Sequence, residues 1–327
     1  MITRRVILSA MAATSLCLNA VGQVKAQSFP IRLIKLVVPN PPGGPSEIVI
    51  RTLAERLSSS LGQSVIVENR PGGANGAIGA MSVARAEPDG YTLLFSNPGP
   101  MVVAPAVYKN LGYDPVKSFT PIATIFSSPQ VLAVNPAVTV KTVQELITYA
   151  KTNPARINFA SPGYGSQPHL LGEMLKLITG IDIVHVPYRS AALAVTDLLA
   201  GQVQMEFETM PLLLPHIEAG KLKALAIADE TRNPQLLDVP TTIEVGLPTL
   251  QATFWSGVLA PAGTPKSVVD KLNAAINEIL KSKEIETVLA RLSARPKIGS
   301  PQDFATFVSA ESQKWMAVVK AAGIKAD

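Results

Sequence analysis

Apolar residues fall into two alternating rhythms along this chain. Short runs rich in branched side chains are followed by stretches in which apolar residues recur every three or four positions. That alternation is the pattern of buried strands and amphipathic helices. Leu33 to Val38 is the first run, interrupted only by Lys35, and Ile50, Leu53, Ala54, Leu57 and Leu61 follow at helical spacing. Ser64 to Glu68 and Tyr91 to Ser96 read as the next strands, separated by a helix reaching to about Ala86. Ile122 to Ile125 and Val131 to Val134 read as two short strands around Ser127-Ser128-Pro129. A helix from Thr142 to Lys151 opens on a capping box, Thr142 with Glu145.

The second half repeats the scheme. Ile157 to Ser161 is a strand, and Leu171, Met174, Leu175 and Ile178 mark a helix. Ile183 to Pro187 is a strand, Ala191 to Ala200 a helix closed by Gly201, and Val203 to Phe207 a strand. Pro211 to Ala219 is a helix and Leu222 to Ala228 a strand. Phe254 to Pro261 echoes Phe126 to Pro136: each runs from an aromatic and a serine through an apolar strand to a proline. Helices over Pro265–Lys281 (capped by Thr264-Pro265), Lys283–Leu292 and beyond Ser300-Pro301 complete the chain. In the last of them Phe304, Phe307, Val308, Trp315 and Val319 read as core. The fold class is α/β with mainly parallel pairing. The two echoing strands suit a chain that leaves one domain and returns to it, giving 27–127 and 255–327 as one domain and 128–254 as the other.

Two turns carry the chemistry. Asn40-Pro41-Pro42-Gly43-Gly44-Pro45-Ser46 joins the first strand to the first helix, which Ser46 is expected to cap. Ser161-Pro162-Gly163-Tyr164-Gly165-Ser166 does the same more than a hundred residues later. A glycine-rich turn at a helix N-terminus gathers unpaired amide donors at the positive end of the helix dipole, which favours an anion. A third such stretch, Asn69 to Gly79, lacks the Lys-Ser/Thr of a phosphate loop and the spacing of a dinucleotide fingerprint. Its glycines are expected to serve close helix packing, and no cofactor is expected.

Charge and cysteine use narrow the classes. Of the formal net charge of +5 over 327 residues, Arg4, Arg5 and Lys25 supply three, and residues 1–26 hold no acid. The remaining +2, with no basic run interleaved with aromatics, excludes a nucleic-acid footprint. Residues 1–26 read as a secretory signal: Arg4 and Arg5, then the apolar Val6 to Leu18, then Val24-Lys25-Ala26 as cleavage site. Thr3 to Leu8 also resembles a twin-arginine export signal, loosely. The only cysteine, Cys17, lies in this segment, so the rest has no disulfide or thiol ligand. The expected product is a soluble, exported, monomeric protein.

The motifs, in their order, resemble a known family. Val38-Pro39…Pro42-Gly43-Gly44, Val67-Glu68-Asn69-Arg70-Pro71-Gly72 and Pro88-Asp89-Gly90-Tyr91 are joined by Gly163-Tyr164-Gly165-Ser166-Gln167-Pro168-His169-Leu170 with Gly172-Glu173. Val186-Pro187-Tyr188-Arg189, Asp197-Leu198-Leu199-Ala200-Gly201 and Val239-Pro240-Thr241 follow. The chain resembles the solute-binding receptors of tripartite tricarboxylate transporters, the Bug-type receptors. The resemblance implies a periplasmic-binding-protein (Venus flytrap) fold of two domains with two crossing strands as hinge. It implies a periplasmic receptor that closes on a small carboxylate and delivers it to membrane transporter subunits. The two glycine loops would hold the carboxylate through backbone amides and hydroxyls. The sequence departs from the family pattern at Asn40, where an aromatic is common, and at Glu47 and Glu208, which replace aspartates. It departs again at Ser190, which replaces a glycine.

The candidate ligand-binding residues are therefore Asn40, Pro42, Gly43, Gly44 and Ser46 on the first turn and Asn97 after the third strand. On the second turn they are Ser161, Gly163, Tyr164, Gly165 and Ser166. His169, in the first turn of a helix, is expected to be neutral, as donor or packing group. Tyr188 and Arg189 either reach the ligand or cap the surface, and Glu208 either accepts a ligand ammonium or is structural. His185 and His216 read as structural, and no histidine pair has metal spacing. A hydrolase triad of Ser166, His169 and Asp182 is the rival reading. It lacks the Gly-x-Ser-x-Gly elbow, so a non-enzymatic receptor is expected. A ligand-presenting subunit for a membrane kinase would carry the same lobes.

Overall fold

The structure, a computed structural model, describes residues 29–43, 46–108 and 110–324. The export segment and Cys17 lie outside the described residues. The chain divides into Met1–Ile31 and Arg32–Asp327. Phe29, Pro30 and Ile31, the described part of the first unit, carry no regular element. Everything below concerns the second.

The strands are β1 (Ile34–Val38), β2 (Val65–Asn69), β3 (Thr92–Ser96), β4 (Phe119–Val134), β5 (Ile157–Ser161), β6 (Ile183–Pro187), β7 (Met205–Thr209), β8 (Lys223–Ile227), β9 (Thr253–Pro261) and β10 (Arg295–Pro296). They form one ten-stranded sheet in the order β2-β1-β3-β9-β4-β7-β5-β6, with β8 and β10 also pairing with β4. The pairs β1·β2, β1·β3, β5·β6 and β5·β7 are parallel; those made by β4 and β9 are antiparallel. The helices are α1 (Glu47–Leu61), α2 (Ala77–Ala84), α3 (Ala104–Val107), α4 (Val143–Thr152), α5 (Gln167–Thr179), α6 (Ala191–Leu199), α7 (Met210–Glu218), α8 (Lys266–Leu280), α9 (Lys283–Ala290) and α10 (Pro301–Ala321). None of the described helices is long and apolar enough to cross a membrane.

The alternation of strand and helix is where the apolar rhythm put it, but β4 is not two short strands. It runs unbroken for 16 residues through Ser127-Ser128-Pro129. Proline is tolerated in a strand where it removes no needed ladder bond. Pro129 sits where β4 changes partner: Phe119–Pro129 pair with β9, and Gln130–Val134 pair with β7. One strand thus belongs to both halves of the sheet. The return path is close by, since Ala252 N–H bonds the Ala228 carbonyl just before β9 begins.

Two expected caps are absent. Ser46 has helical φ/ψ of −75° and −9° and makes no side-chain cap bond to α1. A capping hydroxyl requires extended backbone at that residue. Thr264 donates instead to the Pro261 carbonyl, and Pro265 rather than Thr264 precedes α8. At α4, Thr142 caps Glu145 N–H as expected, but the Glu145 carboxylate accepts from Lys141 N–H rather than closing the box on Thr142.

The glycines of the third turn do serve packing. A Cβ on Gly79 would meet the Arg70 carbonyl at 2.7 Å and Pro39 Cα at 2.9 Å, so α2 can lie against the end of β1 only without one. One apolar core continues beneath the whole sheet, joining Val37 and Leu94 to Phe159, Phe207, Trp255 and Trp315. Trp255 stands edge-on to Phe304 and Phe307, with centroids 5.6 Å apart in each pair. Each such buried side chain contributes roughly 1.5–3 kcal/mol.

Helix α5 rests on the Phe159 ring through Gly172, where a Cβ would fall 2.2 Å from Phe159 Cε2. Gly172→Ala is predicted to destabilise the protein by about 1–3 kcal/mol through overpacking, read by urea unfolding. Adding Phe159→Leu to that variant should recover part of the loss; no recovery would show that the ring is not the obstacle.

Candidate ligand-binding site

The parallel strands β1, β3, β5 and β7 end on one side of the sheet, and a cavity of about 690 Å³ opens there. Ligands in open α/β sheets bind at the carboxyl ends of strands. Val38, Phe95, Glu208 and Thr209 bring those ends into the wall, and Pro162 follows β5 directly. Each strand then enters a helical turn that also faces the cavity. Ser46 and Glu47 open α1, Gly99 opens the turn before α3, and Ser166, Gln167 and Pro168 open α5. Ala191 opens α6 and Pro211 lies in the first turn of α7. The positive ends of these helices converge on one volume. Phe126, Phe254 and Leu292 supply apolar wall.

Both glycine turns therefore reach the same cavity. Of the expected residues, Asn40, Pro42, Gly43, Ser46, Asn97, Ser166 and Glu208 line it. Gly44 lies outside the described residues. Asn97 Nδ2 donates to Asn40 Oδ1 at 2.9 Å, and Asn97 Oδ1 accepts from Gly99 N–H at 2.9 Å. Asn40 in place of an aromatic thus ties the first turn to the end of β3.

The other expected residues of the second turn do not line the cavity. Ser161 is fully buried; its hydroxyl bonds the Gly163 carbonyl at 3.0 Å and lies 2.6 Å from His185 Nε2. Gly163 turns its carbonyl to both Ser161 and Ser166 hydroxyls, and Gly165 N–H donates to His169 Nδ1 at 2.9 Å. A turn that satisfies itself this way is a rigid support for Ser166. Tyr164 is exposed and edges over the two imidazoles. Tyr188 donates to Asp197 Oδ2 at 2.8 Å, and Arg189 is exposed; neither lines the cavity.

His169 is neutral, as expected, but it accepts a hydrogen bond at Nδ1 instead of donating there, which places its proton on Nε2. It stacks on His185 with centroids 3.9 Å apart. Burial first, then Lys176, lowers His169 to about 4, and burial, His169 and Lys176 lower His185 to about 3. The rival triad is not assembled. The Ser166 hydroxyl donates to the Gly163 carbonyl at 2.7 Å, and His169 Nδ1 is occupied by the Gly165 amide. No cluster of three or more histidine, cysteine or carboxylate side chains among the described residues could hold a metal.

The sequence reading missed an amide chain in the wall. Gln167 Nε2 donates to the Thr253 carbonyl, and Gln130 Nε2 donates to Gln167 Oε1, both at 3.1 Å. A carbonyl only accepts, so it fixes both amides and leaves Gln130 Oε1 as a buried acceptor without a partner. A glutamine directly before the apolar run Val131 to Val134 was the available signal. Asn75, Thr209 and Leu292 also line the cavity, without a signal of their own.

The family model described as the tripartite tricarboxylate transporter family receptor matches residues 49–324. The chain belongs to this receptor family. The receptor is 39% identical to Protein BugT of Bordetella pertussis over 303 residues, covering 92% of this chain and 93% of that one. It also matches an R. palustris structure solved with adipate, at 37% identity and a TM-score of 0.77, covering 91% of this chain and 99% of that one. MatC from Rhodopseudomonas palustris with bound malate is 34% identical at a TM-score of 0.73, covering 89% and 100%. The receptor has the mixed α/β periplasmic binding protein fold, a curled sheet flanked by helices.

The histidine pair gives a pH prediction. Both folded-state values lie below the usual 6.5, so below that pH the unfolded chain binds more protons than the folded one. The pair's own contribution to stability is predicted to be full above about pH 6.5 and to be lost as pH drops toward about 4, while the buried acids of β7 contribute the opposite slope. The slope is at most about 1.4 kcal/mol per pH unit for each imidazole. Urea unfolding of the protein and of His185→Phe across this range checks it: the difference in stability between the two should follow this slope.

Proposed function

We propose that this receptor captures a small carboxylate between the two halves of its sheet. The observation that carries the reading is the convergence of helix N-termini on a cavity whose described lining residues include no lysine or arginine. Amide ends and dipoles favour an anion without a cationic side chain. The adipate and malate bound by structural neighbours agree in chemistry. In this reading Gly43 and Ser46 act from one half and Ser166 from the other, with the buried turn around Ser161, Gly163, Gly165 and His169 holding Ser166 in place.

The halves correspond to the two domains read from the sequence, 27–127 with 255–327 against 128–254, and β4 with the approach to β9 serves as hinge. Closure of such halves over a ligand is the usual motion of periplasmic receptors. The same reading places the protein in the periplasm, exported by the segment 1–26, and makes membrane subunits of a tripartite tricarboxylate-type transporter its partner. It has no catalytic step.

A thermal-shift panel of mono-, di- and tricarboxylates and amino acids tests the reading. A ligand at 100 times its dissociation constant should add roughly 2.7 kcal/mol of stability. Ser166→Ala is predicted to weaken that ligand by about 1–3 kcal/mol, beyond its effect as a helix cap on the unliganded protein. Absence of any shift across the panel, or hydrolysis of an ester by the protein, would overturn the receptor reading.

A further inference from the structure

The cavity contains an apparent contradiction. Its helix N-termini suit an anion, yet the charged side chains among its described lining residues are both acids, Glu47 and Glu208. Glu47 is held by Arg51 at 2.6 Å on the same helix. Glu208 has no cationic partner among the described residues. It is 4% exposed, and its Oε1 accepts from both the N–H and the hydroxyl of Thr209, at 2.6 and 2.9 Å. Its Oε2 is buried and has no partner.

Glu206 sits two residues back on the same face of β7. It is fully buried, and neither of its carboxyl oxygens has a partner. Among the described residues, the neighbouring elements offer nothing to neutralise either acid. The stretches of β4 and β5 paired with β7 carry no titratable side chain. On α6, Asp197 is engaged by Tyr188, and on α7 the titratable groups His216 and Glu218 lie in the last turn, away from Glu208. Helix α5, with His169, Glu173 and Lys176, packs on the opposite face with Phe207. An unpaired buried carboxylate is costly and holds its proton instead.

We propose that Glu208 acts as a neutral carboxylic acid and donates its Oε2 proton to one carboxylate of the ligand, which makes it a specificity residue for dicarboxylates. The inference rests on the carboxylate-receptor reading and adds the class of ligand and the residue that selects it. The amide-lined turns take one acid group, and Glu208 takes the second. Oε1 already accepts from two donors, so the proton belongs on Oε2. Burial raises Glu208 above the usual carboxylate range, against the opposing bonds from Thr209. Burial and then Glu208 push Glu206 up to about 9. A carboxylic acid kept neutral by its surroundings is a good donor to an anion; ionised, it would repel one. A longer acid than aspartate at this position also reaches further from the strand.

Three probes of matched chain length separate the outcomes: adipate, hexanoate and ω-aminohexanoate, with malate as a shorter dicarboxylate. Their binding is followed by calorimetry between about pH 6 and about pH 9.5, where simple carboxylates are fully ionised. The expected result is adipate or malate binding roughly tenfold or more tighter than hexanoate near pH 6.5. That advantage falls as pH rises through the Glu208 ionisation, by up to about tenfold per unit. Once pH passes the Glu208 ionisation, runs in buffers of different ionisation enthalpy should show uptake approaching one proton per dicarboxylate. Glu208→Gln, whose amide donates at every pH, should abolish both the pH dependence and the proton uptake. The proton count on the unmutated protein stands if that variant fails to fold.

A dicarboxylate advantage over hexanoate that Glu208→Leu leaves intact overturns the proposal. So does ω-aminohexanoate binding tightest and losing most in Glu208→Gln, which makes Glu208 an ionised partner for an ammonium. Hexanoate binding with neither dicarboxylate bound sinks this inference and leaves the carboxylate receptor standing. No binding by any of the four removes both.

Discussion

The positive ends of helix dipoles can hold an anion only if several of them face the same space, and a parallel strand followed by a helix is the device that achieves this. In this receptor β1, β3, β5 and β7 stop on one side of the sheet, and the turns that follow deliver α1, the segment before α3, α5 and α7 to the same wall. Each turn must bend sharply at the cavity wall, and Pro42, Gly43 and Pro162 stand at those bends. The charge complementarity of the site is thus a property of topology. It would survive many substitutions among the lining side chains and would not survive loss of a single strand end.

The second turn shows how such a site is held rigid. Ser161, Gly163, Gly165, Ser166, His169 and His185 form a closed set of hydrogen bonds and stacked rings behind the wall. Only Ser166 of these faces the cavity. The glycine-serine motif of this turn is mostly scaffold for one hydroxyl and one helix start. Neutral imidazoles are required, because a proton on His169 Nδ1 would meet the Gly165 N–H head-on.

Much of this was legible in the residues. The apolar rhythm located strands and helices, and the two glycine turns pointed to one cavity. The misreadings share a cause. Ser127-Ser128-Pro129 looks like a break, and only the change of partner from β9 to β7 at that point explains an unbroken β4. Ser46 and Thr264 have the chemistry of caps without the backbone angles, which are set by the turns before them. Ser161 and His185 are partners across two strands, Gln130 and Gln167 across strand and helix, and no local spacing announces such pairs. Spacing within one element could be read; angles set by a preceding turn and contacts made by two elements meeting could not.

The amide chain from Thr253 through Gln167 to Gln130 has a consequence for which molecules suit this cavity. A main-chain oxygen on the edge of β9 decides which end of a glutamine on β4 is left free. For any guest that reaches Gln130, that free end accepts and never donates. A hydroxyl on the guest would find its match there, while a bare methylene would strand a desolvated oxygen. Preference between substituted and unsubstituted acids is therefore dictated two bonds away from the side chain that enforces it.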